Sequence, residues 1–192
     1  MSSKESFECG YVYHVYTHGN GKDLIFRETE NYRYFLDKLL KYIIPIAEIY
    51  AYCLMPNHFH LLLRFKNLDS ILDEDQHKYL MKSFGNFLNS YAKAFNKKYD
   101  RKGALFLNAV KRKKISDEKY LLKVLHYIHN NPVNHGFVNK ADQWEHSSYN
   151  SYLHPEKKSK LNRMEIMGYF DSLEVFKNYH RSDIEYDFLN FE

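Results

Sequence analysis

Two histidines one residue apart, His58 and His60, stand in the run HFHLLLRF, where residue type and spacing together suggest chemistry. In an extended strand, residues two apart point the same way. Both imidazoles would therefore share one face, while Phe59, Leu61 and Leu63 take the other. Side by side on a rigid strand they make two ligands of a divalent-metal site. An HxH pair is weak by itself, because most such pairs are incidental. This one follows the turn Met55-Pro56-Asn57 directly, at a strand end, and it interrupts an otherwise apolar run.

A second pair, Tyr127 and Asn131, is four residues apart in a stretch of helical pattern, which makes them neighbours on one helix face. A phenol, with a pKa of about 10, is a poor nucleophile unless a metal or a base favours the phenolate. A metal held by His58, His60 and the Asn131 side-chain oxygen would polarise a phosphodiester and screen the attacking and leaving oxygens. Oxygen ligation suits Mg²⁺ or Mn²⁺, and the imidazoles make Mn²⁺ the easier fit. Two alternatives stand beside this. Tyr127 is one of 18 tyrosines, most of which serve packing. Asn131 precedes Pro132, a position disfavoured in helical geometry, and a helix ending earlier would leave Asn130 or a water to complete the shell. His126 and His129 flank the tyrosine as backbone or phosphate contacts, and His14 and His18 take no assigned role.

A third feature is charge. Lys93, Lys97, Lys98, Arg101, Lys102, Lys111, Arg112, Lys113 and Lys114 face a single acid, Asp100, across residues 93–114. Such a run is usually a solvated face. Here Phe95, Tyr99 and Phe106 interrupt it, a mixture suited to an unpaired nucleic-acid strand. Lys97, Lys98, Arg101, Lys102, Lys111, Arg112, Lys113 and Lys114 are accordingly the expected DNA-contacting residues.

The elements that position these residues read as follows. Residues 11–17 form a strand ending at the turn cluster His18-Gly19-Asn20-Gly21. Apolar positions recur at helical spacing from Glu28 to Ile44, and Pro45 closes that helix. Residues 47–54 and 58–65 form an antiparallel hairpin. A linker with Asp69, Asp73, Glu74 and Asp75 leads into a helix over 77–98, and residues 104–113 read as a fourth strand. Ser116 is the expected N-cap of a third helix running from 117 to about 130 and stopping near Pro132. The order is strand, helix, strand, strand, helix, strand. It predicts an α+β fold: a ferredoxin-like antiparallel sheet with helices on one face and the Tyr127-bearing third helix on the other.

At 192 residues the chain can bury one substantial core. Its 44% hydrophobic and 27% charged residues read as globular, and a net charge of +4 permits nucleic-acid binding without requiring it. Cys9 and Cys53 form no CxxC pattern, which argues against a disulfide scaffold or a thiolate zinc site. No apolar run approaches the roughly 20 residues that span a bilayer, and the polar segment Met1 to Gly10 lacks a signal-peptide core. The expectation is a cytoplasmic protein without a membrane partner.

The stretch from Tyr52 to Leu63, with Met55-Pro56-Asn57-His58-Phe59-His60-Leu61-Leu62, resembles the MPxHxHLL signature of the single-tyrosine HUH transposases of small insertion sequences. Tyr127-Ile128-His129-Asn130-Asn131-Pro132-Val133 with Gly136, then Trp144 and Ser147-Ser148-Tyr149, resembles more specifically the REP-associated tyrosine transposase branch. The likeness covers roughly residues 11–153, which makes 1–153 the expected nuclease domain and 154–192 an extension packed on it. The resemblance implies a metal held by His58, His60 and Asn131, with Tyr127 as nucleophile. It also implies attack on single-stranded or hairpin DNA, giving a 5′-phosphotyrosine and a free 3′-hydroxyl, in a monomer or a homodimer. A non-catalytic single-strand binding module and a phosphoesterase using water are the competing classes. Neither would need Tyr127.

Overall fold

The computed structural model describes residues 5–21, 23–68, 71–107 and 110–186. β1 (Val12–His18), β2 (Ala47–Met55), β3 (His58–Phe65) and β4 (Lys111–Lys114) form one sheet in the order β2-β3-β1-β4, antiparallel throughout. α1 (Thr29–Tyr42) and α2 (Asp73–Lys98) cover one face, and α3 (Glu118–Asn134) covers the other. This is the α+β, ferredoxin-like arrangement that the alternation of elements predicts. Period-two alternation divides the side chains. Tyr13, Val15, Phe59, Leu61 and Leu63 enter the core under α1 and α2 with Phe35, Phe84 and Phe87. Tyr16, Cys53, Met55 and Leu62 enter the core under α3 with Val124, Leu125 and Ile128. Beyond α3 follow a 3-10 turn (Ala141–Gln143) and three short helices, α4 (Tyr149–Leu153), α5 (Arg163–Met167) and α6 (Leu173–Arg181). Phe176 of α6 is buried in the α3-side core.

The β2–β3 hairpin closes at Pro56-Asn57, with Met55 opposite His58. Its carbonyls hold the chain that leaves β1. Asn57 O accepts from Gly19 N at 2.7 Å, and Pro56 O accepts from Ile25 N at 2.8 Å and Phe26 N at 3.0 Å. Gly19 is required there, because a Cβ would meet Asp23 O at 2.4 Å.

Three boundaries differ from expectation. α2 starts at Asp73, so Asp73, Glu74 and Asp75 lie in its first turn, where carboxylates oppose the positive helix end. Asp69 lies outside the described residues. The fourth strand is only Lys111–Lys114 rather than 104–113. Residues 104–107 run as a loop with a single bridge from Phe106 to Gly19, and 108–109 lie outside the described residues. β4 is an edge strand made wholly of cations, a composition that discourages pairing with another sheet. α3 runs through Pro132 to Asn134, and its N-cap is Asp117, whose carboxylate accepts from Tyr120 N at 2.8 Å. Ser116 instead donates its hydroxyl to Asp117 at 2.6 Å. Pro132 costs one backbone hydrogen bond, but it falls in the last turn of a helix buried from Val124 to Pro132. Tertiary packing outweighs the local preference, and Phe137 N and His135 N close the end on Pro132 O and Asn131 O at 2.9 and 3.0 Å.

Candidate active site

His58 and His60 lie on the sheet face that α3 covers, and both are buried, as is Asn131. Because α3 continues past Asn130, Tyr127 and Asn131 stay one turn apart on the side facing β3. His58 Nε2 is 3.0 Å from Asn131 Oδ1, and the same amide reaches His60 Nε2 at 3.5 Å from Nδ2. The Tyr127 ring, 7% exposed, meets the His60 ring edge-on at 5.3 Å and the His14 ring at 6.2 Å. Asn130 takes no part. Its amide donates to the His180 carbonyl at 3.1 Å and packs against His126, away from the two histidines of β3.

Each site histidine is oriented through its other nitrogen. His58 Nδ1 lies 2.8 Å from Asn57 Oδ1 and Nε2 3.0 Å from Asn131 Oδ1; a neutral ring donates to only one of these oxygens, and donation to Asn57 is the tautomer that would present the Nε2 lone pair to a metal. His60 Nδ1 lies 2.9 Å from His14 Nε2, and the two rings stack at 5.0 Å. Such partners fix tautomer and ring orientation in metal-ligating histidines. Burial pushes the His58 imidazole down to about 4, against a smaller opposing effect of the Asn131 hydrogen bond. Burial also holds His60 well below the usual range, with His14, His58, His18 and His135 adding to the effect. Both rings are therefore neutral near pH 7, the form that binds a metal.

Among the described residues, no three or more His, Cys, Asp or Glu side chains group to hold a metal ion. The polar side chain beside the two imidazoles is the Asn131 amide. Two imidazole nitrogens and an amide oxygen fit Mn²⁺ or Mg²⁺ by donor type.

The basic residues do not form one surface. Lys98 pairs with Glu28 and Arg101 with Asp23, at the α1–α2 end of the molecule, beside exposed Lys97 and Lys102. Arg112 donates to the Glu5 carbonyl and lies over the Phe7 ring at 4.9 Å. Lys113 pairs with Glu5 at 2.9 Å and Lys114 with Glu8 at 3.1 Å. Of all these, Lys111 and Lys113 share the sheet face of the histidines, being opposite Tyr16 and His14 on β1. The interleaved aromatics are not a stacking platform. Phe95 is buried, and Tyr99 and Phe106 pack against the same core under α1 and α2. Alternation along α2 that reads as cation beside aromatic is one amphipathic helix with its apolar side inward.

His126 and His129 also depart from expectation. His126 Nδ1 lies 2.7 Å from the Tyr186 hydroxyl and its Nε2 3.1 Å from the Ser182 carbonyl. His129 bridges His180 Nε2 at 2.8 Å and Ser148 Oγ at 2.9 Å. They are interior struts that join α3 to α6 and to Ser148. His14 and Asn57, unassigned in the sequence, are the residues that orient the pair. A pattern signal existed for His14, which shares a face with Tyr16, but its register with His60 depends on the β1–β3 pairing.

Fold and site thus define an α+β protein with two histidines, an amide and a tyrosine gathered between sheet and helix. No family model matches the chain. A curated protein of Haemophilus influenzae described as a REP-associated tyrosine transposase is 33% identical over 105 residues, covering 53% of this chain. The aligned region spans 58% of that relative's length. A solved structure described as a REP-associated tyrosine transposase bound to a REP hairpin superposes with a TM-score of 0.65 at 16% identity, covering 83% of this chain and 90% of that one. The chain is similar in sequence and in fold to REP-associated tyrosine transposases.

Proposed function

We propose that this protein is a tyrosine DNA nuclease and strand-transferase of transposase type, acting on single-stranded or hairpin DNA. One observation carries the reading: the Tyr127 ring lies against His60, while the His58, His60 and Asn131 donors converge one helical turn away. The relatives' descriptions support the substrate, since one similar structure is of a transposase bound to a REP hairpin.

In this mechanism the Tyr127 oxygen attacks the scissile phosphorus. A tyrosine–phosphate bond forms, the bond from phosphorus to the 3′ oxygen breaks, and the phenolic proton leaves as the 3′-hydroxyl gains one. The product is a 5′-phosphotyrosine, and a second 3′-hydroxyl attacking it reverses the step elsewhere. The phosphodiester energy is conserved, so no nucleotide cofactor is required. His58, His60 and Asn131 would hold Mg²⁺ or Mn²⁺, whose charge polarises the phosphate and favours the phenolate. His14 and Asn57 keep the two imidazoles aimed, and burial beneath α3 keeps them neutral. Nucleophile and donors come from the same chain, which permits cleavage in cis.

The test incubates wild type and Tyr127→Phe with single-stranded hairpin DNA and Mn²⁺ and resolves the products on a denaturing gel. Wild type is expected to leave a covalent protein–DNA adduct, and the variant none. Cleavage without an adduct, or an unaffected variant, would sink the mechanism.

A further inference from the structure

The reaction at Tyr127 leaves a separate cleft without a role. It measures about 790 Å³ and opens between β4 and the first turns of α3. Tyr11, Lys113, Lys114, Lys119, Tyr120 and Lys123 border it. Two carboxylates also reach its rim, and both are engaged. Glu5 pairs with Lys113 and accepts from Lys114 N, while Asp117 caps α3. Lys113 pairs with Glu5 and Lys114 with Glu8, so the four lysines exceed these two carboxylates and Asp117 by one charge. Lys119 is exposed, and Lys123 reaches the Glu185 carbonyl at 3.4 Å.

The cleft also carries aromatic surface. Tyr11 is 48% exposed, with the Lys114 ammonium 3.2 Å from its ring centre. The Tyr120 hydroxyl is buried and has no hydrogen-bond partner among the described residues. Burial, with Glu5, Tyr16 and Asp117 adding to it, pushes that phenol up to about 12, so it remains a proton donor at neutral pH. An exposed aromatic ring beside several cations suits an unpaired strand better than a duplex, because every base offers a face to stack.

Direction follows from the helix. Lys123 is one turn, and Tyr120 two turns, before Tyr127 on the same side of α3. At 1.5 Å per residue, Tyr120 and Tyr127 are about 10 Å apart along the axis. Phosphates spaced by about 3.4 Å or more cover that length in two or three nucleotides. We propose that the cleft seats the unpaired strand continuing from the scissile phosphate, with Lys113, Lys119 and Lys123 on its phosphates and a base stacked on Tyr11. The proposal rests on the Tyr127 reading above.

Fluorescence anisotropy with two oligonucleotides tests it: a blunt DNA hairpin, and the same hairpin with a thymidine tail of about six nucleotides, within the usual range of single-strand sites. Wild type is expected to bind the tailed hairpin more tightly. Lys119→Glu and Tyr11→Ala, both at exposed positions, are expected to lose about 10-fold on the tailed hairpin and little on the blunt one. For Lys119→Ala, the slope of log K against log salt is expected to fall by about 0.7. Variants that bind the tail as tightly as wild type would overturn the cleft assignment, and so would an equal loss on both oligonucleotides, which marks a duplex contact. The adduct assay run in parallel separates the two readings. A wild type that forms no adduct overturns the nuclease itself, whereas an adduct with unchanged tail binding in the variants overturns only the cleft.

Discussion

At the scale of single residues, the site depends on which nitrogen each histidine presents. His60 turns Nε2 toward Asn131 because Nδ1 is occupied by His14, and His58 does the same through Asn57. Orienting partners of metal-bound histidines typically contribute 10- to 100-fold to metal affinity or activity. His14→Phe is therefore expected to weaken Mn²⁺ binding by roughly that factor, about 10- to 100-fold, while leaving the ring stack of β1 in place. Isothermal titration of the two proteins with Mn²⁺ measures it directly, and equal affinities would show that His14 does no orienting. Tyr127 differs from the other tyrosines in its neighbours. Most are held in packing, as Tyr13, Tyr50, Tyr91 and Tyr152 are, whereas Tyr127 lies beside the two imidazoles of His14 and His60.

At the scale of elements, α3 must be held in register against the sheet for Tyr127 and Asn131 to meet β3. Ser148 is the clasp. Its hydroxyl lies 2.9 Å from Tyr52 N on β2 and 2.9 Å from His129 Nε2 on α3. Ser148→Ala leaves a buried amide and a buried imidazole without that partner, which costs on the order of 1–3 kcal/mol. The expected outcome is a lower urea midpoint and slower adduct formation together. A stability loss with full adduct yield would mean that the clasp holds the fold but not the register of α3. The edge strand β4 shows the same coupling. Its cations protect a sheet edge, and its alternation turns Lys111 and Lys113 toward the histidine face.

At the scale of the whole molecule, the α3-side core is completed by α6, through Phe176 and the contacts of His126, His129 and His180. Burial pushes His126 down to about 4 and His180 to about 3. The unfolded value is about 6.5. Both folded values lie below it, so the unfolded chain binds more protons below pH 6.5, and stability is lost as the pH falls from there toward 4. Urea unfolding is expected to show a flat midpoint above pH 7 and a decline below 6.5. His180→Asn is expected to lower the midpoint at pH 7 and to flatten that decline. A wild-type midpoint unchanged between pH 7 and pH 5 would contradict the burial of these rings in a dry interior.

The HxH spacing, its place after Pro56-Asn57 and the tyrosine-to-asparagine interval were all readable in the sequence, because strand and helix periodicity project directly onto faces. The element order likewise determined the α+β class. Three things were decided only by tertiary structure. Packing carried α3 through Pro132, which brought Asn131 rather than Asn130 to the histidines. The β1–β3 register placed His14 behind His60, a pairing between residues 46 positions apart that no local pattern encodes. Folding also dispersed the basic run, since Phe95, Tyr99 and Phe106 were needed in the core and several cations found carboxylates brought near by distant segments. Local periodicity orients a side chain relative to its own element, and only the packing of elements determines what it meets.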